Sequence, residues 1–444
     1  MPEVHDCDLS WRQELPIGIV NASLERFPMR LPQLFCSSIF AIVLTAAEVR
    51  AEDWTQFLGT HRNGISSEKN LIREWPSDGP KIIWRTPLGV SMSSVIVSSG
   101  QAFTLFQDES DLYAVALNAA TGKEVWRTKF AAAYENAMGN GPRATPTVAD
   151  GKLFVFTGEG VLAAFNIKDG KELWKVNVPS SLKGEASEYG MSCSPLIVGN
   201  MVVVHTGNAD AAVGAFDTKS GKNLWKSATG KAGYSSPIFV TLAGKEQIVT
   251  LTADAAFGLE AADGNVLWKF PFPTEYDCNT ACPVQLGESE VLISAGENHG
   301  AAVLQITANG QKLSAEEVWS SYGKDSQLRA EWQTPVIHDG HLYGLDNSGS
   351  AGPITNLVCI RLKDHETVWQ KARFGKSNLI LADGKLFLTT MSGEVVIVEA
   401  SPKAFKELGR ATIMETTRQA PSLSNGFLFV RDDKEVLCID ARAK

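Results

Sequence analysis

The feature that most constrains the fold is a glycine followed four residues later by a tryptophan, which recurs along most of the chain. It is complete at four places and retains only the tryptophan at three more: Gly122–Trp126, Gly170–Trp174, Gly221–Trp225 and Gly264–Trp268, then Trp84, Trp319 and Trp369. Successive tryptophans are 42 to 51 residues apart. In the clearest unit, residues 141–178, four β-branched or aromatic runs alternate with glycine-containing turns. Four strands repeated at this interval predict the blades of a β-propeller.

The two ends of the repeat region predict the number of blades. The last unit begins near Arg418 and reaches Lys444 without a fourth strand, whereas Trp84 lies in a fourth strand, GPKIIWRT, that no earlier strands precede. An N-terminal strand that completes the last blade would remove the exposed edges of an open ring. We therefore expect an all-β fold, an eight-bladed β-propeller of four-stranded antiparallel blades, with the last blade closed by an N-terminal strand.

The region before the repeats indicates export. Residues 29–51 combine a positively charged start, an apolar run over Leu34–Ala47 and a cleavage motif at Val49-Arg50-Ala51, which is typical of a signal peptide. The chain would then be periplasmic or extracellular, and Met29 is an alternative start that would leave the preceding residues untranslated. The predicted order is a polar extension, a signal peptide, an irregular lead-in and a single propeller domain: 1–28, 29–51, 52–78 and 79–444.

Charge limits the classes of partner. The formal net charge is −9 and no basic cluster interrupts it, so we expect neither a nucleic-acid nor an anionic-membrane partner. The apolar run is too short and wrongly flanked to span a membrane. We therefore expect a protein that is not an integral membrane protein, and any association with a membrane would be through a partner. We also expect a monomer.

The repeat also carries a family resemblance. Residues 145–174, TPTVADGKLFVFTGEGVLAAFNIKDGKELW, resemble the repeat of pyrroloquinoline-quinone (PQQ)-type propellers, a family that includes PQQ-dependent dehydrogenases and BamB-like exported assembly factors. The resemblance covers about residues 79–444 and implies the eight-bladed fold. It does not fix the function, because one scaffold hosts unrelated roles.

The cysteines help to decide whether the chain resembles the PQQ-dependent dehydrogenases of the family. The resemblance implies that PQQ in a dehydrogenase lies between a tryptophan and a ring of two adjacent disulfide-bonded cysteines, with a calcium ion held by carboxylate and amide groups. This sequence has no Cys-Cys pair. In an extended strand Cys278 and Cys282 would be about 13 Å apart, too far for a disulfide unless Cys278 curls back. Cys359 and Cys438 stand where other blades have alanine, so we expect them to be buried.

One position per unit should form a ring around the channel. It lies three residues before the marker proline or its equivalent, and its occupants are Met92, Arg143, Ser192, Tyr234, Thr280, Trp332, Lys376 and Arg418. Three cations and two aromatic rings at one level could bind a planar or anionic ligand. The alternative is that the cations line a wet channel and pair with nearby acids. If the chain is a quinoprotein, Trp332 stacks on the cofactor and Arg143, Lys376 and Arg418 meet its carboxylates.

Long loops at the same face pair aromatic residues with acids, which suits a recognition surface. They contain Tyr134-Glu135-Asn136, Glu185 with Glu188-Tyr189, Glu275-Tyr276-Asp277 and Glu331-Trp332. The alternative is that these acids are only solvated. As a quinoprotein the chain would place Glu135, Asn136 or Asp277 near the metal. Glu297-Asn298-His299 should reach the same face, with His299 as a surface residue rather than a base.

These observations favour an exported binding or scaffolding module of the BamB-like type, with no cofactor and no metal site. Its partner would be a protein or a small anionic or planar ligand at the central-channel face, and the predicted surface is Tyr134, Glu135, Asn136, Glu188, Tyr189, Tyr234, Tyr276, Asp277 and Glu331. The alternative is a PQQ- and calcium-dependent dehydrogenase of alcohols or sugars, so whether the chain is an enzyme stays open. A polysaccharide-processing enzyme has only the abundance of acids in its favour.

Overall fold

The computed structural model describes residues 52–310, 312–349 and 354–443. These residues form eight β-sheets of four or five strands, which confirms the predicted eight-bladed propeller. They belong to one compact unit, Val49–Lys444. The predicted polar extension and signal peptide lie outside the described residues. No helix in the described ranges is long and apolar enough to cross a membrane.

Two strands precede the first blade, and the first four blades follow in chain order. The early strands are Ile65–Ser66 (β1) and Ile82–Pro87 (β2). Blade 1 contains Ile96–Ser98 (β3), Gln101–Gln107 (β4), Asp111–Asn118 (β5) and Glu124–Ala132 (β6). Blade 2 contains Thr147–Ala149 (β7), Lys152–Phe156 (β8), Val161–Asn166 (β9) and Glu172–Asn177 (β10), and then a short helix, Val178–Ser181 (α1). Blade 3 contains Leu196–Val198 (β11), Met201–Asn208 (β12), Ala211–Asp217 (β13) and Asn223–Ser227 (β14). Blade 4 contains Ile238–Leu242 (β15), Lys245–Leu251 (β16), Ala255–Leu259 (β17) and Val266–Pro271 (β18).

The remaining blades repeat this plan, with 3₁₀ turns at Glu275–Asp277 and Gly323–Asp325. Blade 5 contains Val284–Gln285 (β19), Glu290–Ala295 (β20), Gly300–Asn309 (β21) and Lys312–Tyr322 (β22). Blade 6 contains Val336–His338 (β23), His341–Ser348 (β24), Ile354–Arg361 (β25) and Glu366–Lys371 (β26). Blade 7 contains Ser377–Ala382 (β27), Lys385–Thr390 (β28), Glu394–Glu399 (β29) and Glu407–Thr412 (β30). Blade 8 contains Ser422–Ser424 (β31), Phe427–Arg431 (β32) and Glu435–Asp440 (β33).

The last blade is closed by the N-terminal strand, as the sequence predicts. Strand β2 pairs antiparallel with β33, and Trp84 lies opposite Cys438. The resulting order, β2-β33-β32-β31, gives the eighth sheet its fourth strand.

The recurring glycine and tryptophan join neighbouring blades. Gly170 has a φ of 69°, and a Cβ on it would lie 2.4 Å from the Trp126 ring of the preceding blade. The Trp126 indole in turn donates a hydrogen bond of 2.9 Å to the Ile167 carbonyl of the next blade. Only glycine allows both the left-handed backbone and this close approach. The repeat is therefore the contact that docks one blade on the next.

The lead-in runs across the channel end opposite the predicted ring. Trp54 pairs with Val97 of blade 1, and the Thr55 carbonyl accepts a bond from the Val148 amide of blade 2. Strand β1 then adds to blade 7 in parallel. Further along, the Trp75 ring packs on Gly409, the position at which blade 7 lacks the repeat tryptophan. The lead-in therefore supplies a fifth strand and a replacement tryptophan to blade 7.

All five cysteines of the described residues are free thiols. Cys278 and Cys282 therefore do not form the bridge that the sequence left open. Cys359 and Cys438 are buried beside Trp369 and Trp84, respectively. This confirms that they replace the small alanine of the other blades.

Candidate functional site

Seven of the eight ring positions line one cavity of about 190 Å³ at the channel end where the innermost strands begin: Met92, Arg143, Ser192, Tyr234, Thr280, Trp332 and Arg418. We call this space the channel cavity. Phe57 from the lead-in, Met138, Tyr189 and Cys278 also line it. The eighth position, Lys376, lies in an adjoining pocket with Glu331. The repeat geometry thus brings the predicted ring together, while the role of each residue stays a prediction.

Arg143 has its donors directed at protein carbonyls. Its Nε, Nη1 and Nη2 donate to the carbonyls of Tyr189, Gly141 and Gly139 at 2.5, 2.7 and 2.8 Å. Its guanidinium also lies over the Tyr134 ring, 4.6 Å from the centroid. Burial lowers the pKa of Arg143 below its ordinary value. Arg143 therefore holds the loops of blades 2 and 3 together and has little capacity left for an anionic ligand.

Lys376 and Glu331 form a partly buried ion pair beside Trp332. Lys376 Nζ is 2.9 Å from Glu331 Oε1 and 4.2 Å from the centroid of the Trp332 ring. Burial raises the pKa of the Glu331 carboxyl, and the Lys376 charge opposes that effect. Within the described residues, the other carboxylate oxygen, Oε2, is buried without a hydrogen-bond partner. Two of the predicted site residues thus neutralise each other.

Trp332 adopts a backbone conformation that is rare for a large side chain. Its φ is 51°, and the Gln333 amide donates to the Glu331 carbonyl at 2.6 Å across it. A bulky residue in this region is strained by roughly 1–3 kcal/mol, and such strain concentrates at functional sites. The turn lies at the entrance to blade 6 and directs the indole into the channel cavity.

Arg418 is the ring cation with the most remaining hydrogen-bonding capacity. Its Nη1 donates to the Met138 carbonyl at 2.7 Å, and its guanidinium lies 5.8 Å from the Trp332 centroid. Its Nε is buried and has no partner among the described residues. Arg418 therefore keeps donor groups that an anionic group in the channel cavity could use.

The predicted loop residues surround the channel cavity, and several contact one another. Asn136 Nδ2 donates to the Tyr134 hydroxyl at 3.2 Å and to the Glu188 carbonyl at 2.9 Å, which ties the loops of blades 2 and 3. Tyr189 and Tyr234 pack with ring centroids 5.8 Å apart. Burial raises the pKa of Tyr234, so its hydroxyl stays neutral.

The outer rim of the cavity is exposed and acidic. Tyr276 is 56% exposed with a φ of 61°, and Met138 is 46% exposed. Glu135 and Glu188 are also exposed. Burial raises the pKa of Cys278 to about 11, and the nearby carboxylates Glu297, Glu331, Asp277 and Glu188 add to the effect in that order.

His299 is less exposed than the sequence suggests. It is partly buried and packs edge-on against Phe272, with ring centroids 4.4 Å apart, and against Tyr322 at 5.6 Å. Burial lowers its pKa, which favours the neutral imidazole. The surrounding rings make His299 part of an aromatic cluster, which the order of residues could not reveal.

The residues that the dehydrogenase alternative requires do not fit a calcium–quinone centre. The Asn136 amide bridges two loops, and Asp277 Oδ2 pairs with Lys231 Nζ at 2.9 Å. In the described part of the chain no three His, Cys, Asp or Glu side chains are grouped to hold a metal ion. Cys278 is the one cysteine among the residues that line the cavity, so the ring of two adjacent disulfide-bonded cysteines implied by the resemblance is not present there. Of the cations assigned to the quinone carboxylates, Arg143 and Lys376 already bind protein groups.

Sequence reasoning missed two parts of the site. Phe57 forms one wall of the channel cavity although it precedes the repeats, so no repeat position marked it. Met138 was also missed, because it lies in the loop before blade 2 rather than at the ring position. The one feature of the sequence that could have indicated Met138 is its position between two predicted site residues, Asn136 and Arg143.

Comparison with known proteins identifies the family. A family model described as "Outer membrane protein assembly factor BamB" matches residues 108–371, more than half of the chain. The BamB of Yersinia pestis is 20% identical over 360 residues, which cover 78% of this chain and 86% of that protein. Among solved structures, quinohemoprotein alcohol dehydrogenase from Comamonas testosteroni aligns with a TM-score of 0.64 at 14% identity, covering 88% of this chain and 81% of that one. BamB from Moraxella catarrhalis aligns with a TM-score of 0.58 at 15% identity, covering 81% of this chain and 99% of that one. The two structural matches show the shared fold, and the match to the family model shows that the chain belongs to the outer membrane protein assembly factor BamB family of PQQ-like propellers.

Proposed function

We propose that this chain is an exported propeller that binds a protein partner at the rim of the channel cavity and so acts as a scaffold. The observation that carries the proposal is the combination of exposed apolar or aromatic side chains with acids at one channel end. Tyr276 and Met138 are exposed by about half, with Glu135, Glu188 and Asp277 close by. Aromatic and Met side chains are enriched in the cores of protein interfaces, and charged residues occupy their rims.

The charges of the rim indicate the chemistry of the partner. Asp277 pairs with Lys231, but Glu135 and Glu188 make no ion pair among the described residues. A partner with basic side chains around an apolar centre would complement this rim. Family membership supports a protein of outer-membrane assembly as that partner, because the relatives are named for that process.

Site-specific photocrosslinking in the producing bacterium tests the proposal. A benzoylphenylalanine at Tyr276 or at Met138 should crosslink to one discrete protein, identified by mass spectrometry as an envelope protein. Matched controls at Val125 and Leu173, each 45% exposed on outer strands, should give no such product. Equal crosslinking from all four positions, or none from the rim, would contradict the proposal.

One observation favours the dehydrogenase alternative: Lys376 and Arg418 lie beside the Trp332 ring. Titration of the purified protein with PQQ and calcium, read by absorbance and dye-linked alcohol oxidation, distinguishes the two functions. We expect no saturable uptake. Tight, calcium-dependent uptake that is lost in Trp332→Ala with Arg418→Ala would replace the binding proposal.

A further inference from the structure

The innermost strand of blade 7 shows how a second chain segment can pair along the channel. Its turn, Asp383-Gly384, has φ values of 49° and 68°, and the flanking residues Ala382 and Lys385 pair across β27 and β28. Because the pair that flanks a two-residue turn is hydrogen-bonded, the preceding residue, Leu381, turns its backbone toward the channel. The Leu381 amide donates to the Gly64 carbonyl of the lead-in at 2.8 Å.

The lead-in satisfies the equivalent amide in two more blades. In blade 1 the Val97 amide donates to the Trp54 carbonyl at 2.9 Å, and in blade 2 the Val148 amide donates to the Thr55 carbonyl at 2.8 Å. The same backbone position is therefore paired in blades 1, 2 and 7 by carbonyls of the lead-in, whose chain turns several times between Thr55 and Gly64. In blades 3, 4 and 6 the described part of the lead-in contacts the blades but makes no bond to this position.

In those three blades the equivalent amides belong to Ile197, Thr241 and Ile337. The flanking pairs Val198–Met201, Leu242–Lys245 and His338–His341 place them in the same register. Within the described residues none of the three amides has an acceptor outside its own sheet. The Gln285 side chain donates to the Thr241 carbonyl at 2.8 Å, which confirms that this backbone edge faces away from β16.

All three residues line one open space, which we call the lead-in groove. It measures about 1000 Å³ and is bordered by Gln56 and residues 60–63 of the lead-in and by the innermost strands of blades 3 to 6. The groove runs beside β15, which is five residues long. Among the innermost strands of the described blades only β27 is longer, with six residues. β27 already carries β1, so β15 is the longest innermost edge without an added strand.

The side chains around the groove favour an extended, basic segment. Phe239 is 37% exposed on β15 and offers an apolar contact. Glu246 and Glu288 add negative charge to the lining. The one arginine among the lining residues, Arg62, is buried and donates to the Ser194 and Pro195 carbonyls, so these donors are not available to a ligand.

We propose that the lead-in groove binds an extended, basic segment of a partner protein, whose backbone carbonyls accept hydrogen bonds from the amides of Ile197, Thr241 and Ile337. Pairing of this kind is a form of strand addition. Strand β1 adds in this way to the innermost edge of blade 7, and the Trp54 and Thr55 carbonyls pair the same position in blades 1 and 2. The groove adds a second surface to the binding module proposed above and lies at the opposite channel end from the channel cavity. Its occupancy does not require the cavity.

A peptide titration with the full mature chain tests the groove. The probe is a fluorescein-labelled, capped nonapeptide of alternating Lys and Val, and its binding is read by anisotropy. Thr241→Pro removes the channel-facing amide without breaking the ladder to β16, because proline is tolerated where the amide faces away from the sheet. Thr241→Val keeps the amide and is the matched control.

We expect saturable binding by the wild type and by Thr241→Val, and about fivefold weaker binding by Thr241→Pro, the effect of one lost hydrogen bond. Glu288→Lys should also weaken binding of this basic peptide, and added salt should reduce that difference. No saturable binding by the wild type, or equal affinities of the Pro and Val variants, would overturn the proposal.

Amide hydrogen exchange on the wild type gives a test that does not depend on any variant folding. The amides of Ile197, Thr241 and Ile337 should exchange faster than those of Val97, Val148 and Leu381, and the peptide should slow only the first three. Equal protection in the free protein would overturn the proposal. If protection instead rises with protein concentration in the absence of peptide, and sedimentation shows a dimer, the groove binds a second copy of this chain. That result would overturn the proposal of a separate partner protein. Peptide titration reads the groove and crosslinking reads the rim of the channel cavity, so the two proposals fail separately.

Discussion

Replacing Gly170 by alanine measures how strongly the repeat glycine holds two blades together. Gly170 has a φ of 69°, and an added Cβ would lie 2.4 Å from Trp126 Cε3 and 2.6 Å from its Cδ2. These atoms belong to a ring whose indole is fixed by its bond to the Ile167 carbonyl. The ring cannot move without breaking that bond, so the substitution must separate the blades or distort the turn.

Gly151 provides a matched control in the same blade. Its φ is 71°, but an added Cβ would meet nothing within 4 Å. Gly151→Ala therefore carries only the cost of a left-handed alanine, about 1–2 kcal/mol. Gly170→Ala carries the same cost plus overpacking against the ring, a further 1–3 kcal/mol or so. Both substitutions change the unfolded chain alike, so the difference between them isolates the contact between blades.

The assay is urea denaturation of the wild type and both variants, followed by tryptophan fluorescence. We expect Gly170→Ala to shift the midpoint to lower urea by clearly more than Gly151→Ala does, with similar slopes. Equal shifts would refute the reasoning, because they would show that the glycine serves only the turn and that the ring adapts at no cost.

Three further predictions follow from the closing strand, a buried histidine and the export signal. Deleting residues 53–86 should leave β33 with an exposed edge and produce aggregates by light scattering; an unchanged monomer with unchanged melting would contradict the closure. Burial lowers the pKa of His205 to about 4, and its ring is bonded to the Gly233 carbonyl. The fold therefore holds the neutral form, so stability should fall as pH drops from about 6.5 toward 4, by up to about 1.4 kcal/mol per pH unit, and His205→Gln should flatten this part of the profile. Residues 29–51 fused to a reporter should direct it across the inner membrane, and N-terminal sequencing should find a mature chain starting near Glu52 rather than an unprocessed product.

The repeat made the blades predictable because each unit repeats one docking contact. Trp84 could be assigned to the last blade from its own motif, since a fourth strand without predecessors has only one place in a closed ring. The ring positions from Met92 to Arg418 also followed from register, because equivalent residues of equivalent strands lie at one level. Periodicity therefore fixes backbone placement well.

Periodicity says much less about hydrogen-bond partners. The donors of Arg143 are occupied by carbonyls of loops that no side-chain pattern describes. The strained turn at Trp332 has no glycine to mark it. The path of the lead-in depends mainly on backbone bonds, such as that of Thr55 to Val148, which any sequence could make. These features decide the chemistry of both channel ends. The fold was therefore predictable from the sequence, whereas the two sites were predictable only in part.

The contacts of the lead-in also determine the order in which the molecule can be completed. The Leu71 amide bonds to Asp383, which is 312 residues later in the chain. Strand β2 pairs with β33, the last strand of blade 8. Chains are synthesised from the N-terminus, so Leu71 and β2 cannot make these bonds until Asp383 and β33 have been synthesised. Contacts of such long sequence separation slow folding, because a large loop must close before they form. During that delay β2 is an unpaired strand, and the newly made protein is most prone to mispairing with another chain before its last blade arrives.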